Sequence, residues 1–106
     1  MLEAYILAGL KEWQESLEKR RDSLIELNHK TMQEFELLKA KYEIASSACE
    51  NADNPEIYYR LYVHAIETEM NAQKQMTTDT QAENKRAIED LNRLIKEIEK
   101  TVDSHL

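Results

Sequence analysis

Apolar positions in the first half of the chain recur at alternating steps of four and three residues. From Ile6 to Leu27 they form the seam expected of one helix packed along another, with Arg20 as a polar interruption. After Leu27, two successive steps of four lead to Phe35. Such an extra step, called a stutter, locally unwinds a supercoil. The spacing predicts one long helix over residues 3–50.

The second half of the chain repeats this spacing from Tyr59 to Val102, with a second stutter between Gln73 and Gln81. If the chain folds back at residue 53, residue i lies opposite residue 107 minus i, and the two stutters reach the same level. We interpret that level as a polar, loosely packed layer. Its expected members are Thr31, Thr77 and Gln81.

A turn between the two halves is marked by the sequence Asn-Ala-Asp-Asn-Pro-Glu, residues 51–56. The Asn54 side chain can cap a helix, and Pro55 suits its first position because that position needs no N–H partner. The pattern predicts a turn over 51–54 and a helix over 55–104. The chain is then one all-α domain, residues 1–106, folded as a long antiparallel, coiled-coil-like helical hairpin.

A second possible break lies in the segment Met-Thr-Thr-Asp-Thr, residues 76–80, which is rich in helix-capping side chains. Glu83 follows Thr80 at the spacing of a capping box. A break near 77–80 would give a three-helix bundle, which is the alternative architecture.

Several large apolar residues lie off the seam of the hairpin, so a two-helix structure leaves them uncovered. A second copy of the chain would cover them by forming a four-helix bundle, and two-fold homodimers are the commonest soluble assemblies. The residues expected to mediate this self-association are Tyr5, Leu7, Trp13, Ile25, Met32 and Leu37.

Composition and charge exclude several classes of protein. One Gly and one Pro in 106 residues leave too few turns for a barrel or a Gly-rich nucleotide fold. A net charge of -7 disfavours direct binding to nucleic acid. The apolar run over residues 4–10 is far shorter than the ~20 residues of a membrane span. A lone Cys49 indicates a reducing compartment, so we expect a cytoplasmic protein without membrane contact.

Residues that could carry catalysis are sparse. Glu26 and His29 have the Glu-x-x-His spacing of di-iron bundles, but neither His64 nor His105 has a Glu three residues before it, and such sites need the motif twice. Ser46, Ser47 and Cys49 have no neighbouring His in the sequence. We therefore expect no catalytic residue, no metal and no cofactor, and a protein that is not an enzyme.

The tyrosines around the turn are the strongest indication of a binding surface. Tyr is enriched at interfaces that are half apolar and half wet, although these rings could instead cover the end of the hairpin's own core. The expected partner-binding residues are Tyr42, Tyr58, Tyr59, Tyr62 and His64.

These features predict a non-enzymatic protein–protein interaction module, such as an adaptor, assembly factor or small chaperone, that acts through an oligomeric helical bundle. The alternative is an acidic inhibitor that occupies a basic or nucleic-acid-binding surface of a target. Salt distinguishes the two functions, because charge-driven binding weakens with ionic strength and apolar binding does not.

Overall fold

Two long helical arms joined by a short turn form the protein, as seen in a computed structural model that describes residues 2–105. Met1 and Leu106, the ends of the expected domain, lie outside the described residues. The first arm is a single helix of 47 residues, α1 (Ala4–Glu50). Its first hydrogen bonds run to the Glu3 carbonyl, which accepts from the amides of Ile6 and Leu7 at 3.0 and 3.1 Å. Glu3 therefore precedes the helix instead of beginning it.

The second arm is helical from Pro55 onward and contains three segments. These are α2 (Pro55–Tyr58), a π-helical segment (Tyr59–Val63) and α3 (His64–Asp103). The Asn54 side chain accepts a hydrogen bond from the Ile57 amide at 3.3 Å, as expected of the capping residue. The all-α helical hairpin is thus confirmed.

The alternative three-helix architecture is wrong, because α3 continues through residues 77–80. Capping side chains in this stretch bond within the helix instead of ending it. The Thr78 hydroxyl donates to the Lys74 carbonyl one turn earlier, at 2.9 Å. Ser and Thr favour helix ends, but this back-bonding lets them sit inside a helix.

The π-helical segment changes which tyrosine faces α1. The His64 amide bonds to the Tyr59 carbonyl, five residues back, so this turn holds one residue more than an α-helical turn. Val63 is 1% exposed, and Tyr58, five residues before it, is half-buried. Tyr59, the expected seam residue, is 37% exposed because the wide turn rotates it outward.

The chain comprises two compact units. The first contains α1 up to Asn28 and the second arm from Ala82 onward, and the second contains residues 29–81. The first unit holds a continuous apolar core, and Leu7, Leu10 and Leu24 pack against it. The buried members of this core are Leu17, Leu91, Ile95, Ile98 and Val102.

The stutter expected in α1 is absent. Trp13 and Leu27, both assigned to the seam, are exposed, whereas Gln14, Arg21 and Asn28 are half-buried. When these polar residues are counted as seam positions, the steps of three and four residues along α1 alternate without interruption. Buried and half-buried positions include Leu7, Leu10, Gln14, Leu17, Arg21, Leu24, Asn28, Thr31, Phe35, Leu38, Tyr42, Ala45 and Cys49. The seam of α1 therefore has a regular seven-residue repeat.

The polar layer is present in the second unit. Of the two stutters expected at this level, only the one in the second arm is found. Thr77 is buried, and Thr31 and Gln81 are half-buried. Leu38 and Val63 are the buried apolar residues described in this unit. The second unit thus has a smaller apolar core than the first.

Candidate interaction surfaces

One side of the first unit is closed by polar side chains that hydrogen bond between the arms. Gln14 Nε2 donates to Glu99 Oε1 at 3.3 Å, Arg21 Nη1 to Asn92 Oδ1 at 3.1 Å, and Asn84 Nδ2 to Asn28 Oδ1 at 2.8 Å. We call these six residues the polar ladder. Because each donor meets an acceptor from the opposite arm, this side presents satisfied polar groups to its surroundings.

The polar ladder also sets the register of the first unit. On this side the paired residue numbers add up to 112 or 113, which is five or six more than the expected sum of 107. The π-helical segment accounts for part of this offset, since it adds a residue to the second arm with no counterpart in α1.

On the other side of the seam, the first unit has an apolar groove of about 200 Å³. We call it the Trp13 groove, and it is lined by Leu10, Trp13, Leu94, Glu97, Ile98 and Thr101. The expected sum of 107 places Trp13 opposite Leu94 and Leu10 opposite Glu97, and on this side of the seam these residues do line the same groove. Trp13 is 47% exposed and Leu94 is 43% exposed, so the groove has two large apolar side chains that are accessible to solvent.

The residues expected to mediate self-association have different surroundings. Leu7 is half-buried against the core of the first unit, so it is used within the chain. Trp13 lines its groove, whereas Tyr5, Ile25 and Met32 are exposed. Leu37, in the second unit, is also exposed. In the regular repeat of α1, Ile25 and Met32 each come one residue after a seam position, whereas Trp13 comes one residue before a seam position. These residues therefore lie on opposite sides of the seam and do not form one stripe.

The expected partner-binding residues fall into two pairs and one separate residue. The ring centroids of Tyr58 and Tyr62 are 4.8 Å apart, and those of Tyr59 and His64 are 5.9 Å apart. Tyr42 is half-buried and lines a different groove together with residues such as Phe35 and Met70. Its ring is therefore less available to a partner than those of the second arm.

Tyr59 is held by a hydrogen bond from its hydroxyl to Glu67 Oε2, at 2.8 Å. This bond favours the protonated phenol and, with burial and the negative charge of Glu67, raises the pKa of Tyr59 above its usual value. The nearby Tyr42 and Cys49 side chains contribute in the same direction. The same bond places the Tyr59 hydroxyl beside Glu67, eight residues further along the second arm.

The lone cysteine connects the two arms at the turn. The Cys49 thiol donates to the Pro55 carbonyl at 3.2 Å, and the residue is half-buried. This geometry fits a packing role at the end of α1.

Three exposed apolar side chains lie just after the turn. Ile57 is 49% exposed, Leu61 is 62% exposed and Tyr62 is 57% exposed. We call them the tip patch. All three lie within the first eight residues of the second arm.

Comparison with known protein families, curated proteins and solved structures finds no match to this chain. Within residues 2–105, no group of three or more His, Cys, Asp or Glu side chains is placed to hold a metal ion. Over the same residues, no helix combines the length and apolar character of a membrane span.

Proposed function

We propose that this chain is a non-enzymatic protein–protein interaction module in which two hairpins pair through their Trp13 grooves to form a four-helix bundle. The observation that carries the proposal is the asymmetry of the first unit. Polar hydrogen bonds link the arms on one side, where Ile25 is exposed, while Trp13 and Leu94 lie exposed together around an apolar groove on the other. A bundle of this kind, with its ends free for other proteins, suits an adaptor, an assembly factor or a small chaperone.

The chain exposes enough surface for an interface with another chain. The chain exposes 8150 Å², whereas a folded monomer of its 12.5 kDa mass exposes about 6,200 Å². The excess of about 2,000 Å² exceeds the about 800 Å² that each partner buries in a standard stable interface. A second hairpin therefore has enough surface to cover.

Symmetry and charge determine how such a pair would behave. In a two-fold dimer each groove meets the same groove, so Trp13 and Leu94 of both copies would share one apolar contact. Each chain carries a net charge of -7, which opposes pairing at low salt. Added salt screens this repulsion without weakening apolar contacts, so dimerisation is expected to strengthen with ionic strength.

The fluorescence of Trp13 tests the proposal directly, because it is the only tryptophan in the chain. On dilution, the emission should move to longer wavelength as the indole becomes exposed to water. Sedimentation equilibrium should show the mass falling over the same concentration range from about twice 12.5 kDa to 12.5 kDa. A helical chain that has the monomer mass at every concentration would contradict pairing.

Two substitutions of similarly exposed residues test which face is used. Leu94→Ser removes an apolar side chain from the Trp13 groove and should weaken dimerisation about tenfold or more. Ile25 is 39% exposed on the side of the polar ladder, and Ile25→Ser should change the dimerisation affinity by less than about twofold. Equal weakening by the two variants would show that the Trp13 groove is not the contact.

A further inference from the structure

The tip patch is preorganised by the residues beneath it. The half-buried Tyr58 ring packs against the exposed Tyr62 ring, with centroids 4.8 Å apart and the rings tilted by 51°. Val63, fully buried, anchors the next turn of the helix. Side chains fixed before binding lose little entropy on binding, so such a patch suits recognition.

The π-helical segment under the patch points to function as well. Wide turns of this kind are rare within helices and occur frequently at functional sites. Here the extra residue keeps Tyr58 and Val63 toward α1 while Leu61 and Tyr62 face outward. The segment thus brings Tyr58 toward α1 in place of Tyr59, while Leu61 and Tyr62 face outward as they would in a regular helix through Val63.

Acidic residues outnumber basic ones in the sequence on both sides of the patch. From residue 43 to residue 67 there is one basic side chain, Arg60. The acidic ones are Glu43, Glu50, Asp53, Glu56 and Glu67, which leaves a net charge of -4. Among the described residues, none of these carboxylates forms an ion pair within 4.0 Å. Glu67 accepts the hydrogen bond from the Tyr59 hydroxyl, and within residues 2–105 no ion pair neutralises any of the five.

We infer that the tip patch and its acidic surroundings bind a basic, amphipathic helix of another protein. The apolar face of such a helix would cover Leu61 and Tyr62, and its Lys or Arg side chains would meet the carboxylates. A second copy of the tip, a nucleic acid or an anionic membrane would be repelled by the same charge. The inference rests on the proposed role as an interaction module, but it does not require the chain to pair.

A synthetic helix-forming peptide of Leu and Lys, with its counterpart of Leu and Glu, is the probe. The Lys peptide should bind the full chain and shift the amide NMR signals of residues 56–64 most. Its affinity should fall when salt is raised from about 0.05 to about 0.3 M, since the charges are exposed. The inference is overturned if the Glu peptide binds equally well, or if the shifts centre on Trp13 and Leu94.

Two alanine variants within the second unit separate the tip from general attraction to an acidic protein. Tyr62→Ala should weaken binding of the Lys peptide about tenfold, because it removes a central aromatic contact. Met76→Ala removes an exposed apolar side chain away from the tip and leaves net charge unchanged, so binding should stay within about twofold. Equal affinities of the two variants would overturn the inference.

The proposed pairing is tested separately by the sedimentation of Tyr62→Ala, which should match that of the unmodified chain. A chain that is monomeric and still binds the Lys peptide at residues 56–64 supports the inference while contradicting the pairing. A dimer that binds neither peptide supports the pairing and overturns the inference.

Discussion

Thr77 is the residue whose chemistry least suits its surroundings. It is buried, and its Oγ1 atom has no hydrogen-bond partner among the described residues. A buried hydroxyl that loses its water without gaining a partner costs free energy. Thr77 and the half-buried Thr31 line the same groove of about 460 Å³, so the polar layer lies beside open space. This layer is a point of low stability in the second unit.

Replacing Thr77 by Val should therefore stabilise the protein. Valine has nearly the same shape and has no hydroxyl to desolvate, so the free energy of unfolding should rise by about 1 kcal/mol. Urea denaturation followed by circular dichroism measures the change. Thr31→Val, at a half-buried hydroxyl that water can reach, should give a smaller effect. A lower free energy of unfolding for Thr77→Val would mean that the hydroxyl has a partner in solution.

At the scale of elements, the π-helical segment behaves as a one-residue insertion in the second arm. Deleting Arg60 should allow a regular α-helix while Tyr58 and Val63 keep facing α1, four residues apart instead of five. The free energy of unfolding should then stay the same or rise by up to about 1 kcal/mol, the value of one hydrogen bond. The same denaturation experiment measures the effect.

A deletion of Lys74 is the matched control, because it lies in α3 where there is no wide turn to absorb the loss. Every apolar position on one side of the deletion would rotate by about 100° relative to the other, which should destabilise the hairpin strongly. If both deletions destabilise the protein equally, the π-helical segment is not a removable insertion.

The same elements show what could be predicted from the sequence. Asn54 and Pro55 mark the turn, and apolar spacing assigns most of the second arm's seam, because these signals are local. In α1 the apolar criterion places the seam one position too early at Trp13 and Leu27, since it prefers them to Gln14 and Asn28. Those polar residues are half-buried because α3 supplies their partners, which spacing along one helix cannot reveal. Nothing in the residues 59–63 marks a π-helical turn.

At the scale of the whole molecule, apolar burial is uneven. Of the seven buried apolar side chains among the described residues, five form the core of the first unit, and Leu38 and Val63 lie in the second. The second unit also holds the unpaired Thr77 hydroxyl and the tip patch. Binding surfaces that adjust to a partner are commonly drawn from the less stable parts of a protein.

Hydrogen exchange should reveal this difference in local stability. Amides of residues 91–102 should exchange at least about tenfold more slowly than those of residues 66–77, although both stretches belong to α3. Residues 10–24 of α1 should likewise be better protected than residues 31–45. Mass spectrometry of proteolytic fragments measures the exchange rates of all four stretches. The protein concentration should be low enough for the monomer to predominate. Uniform protection along each helix would mean that the hairpin opens as one cooperative unit, and that the apolar core of the first unit stabilises both units equally.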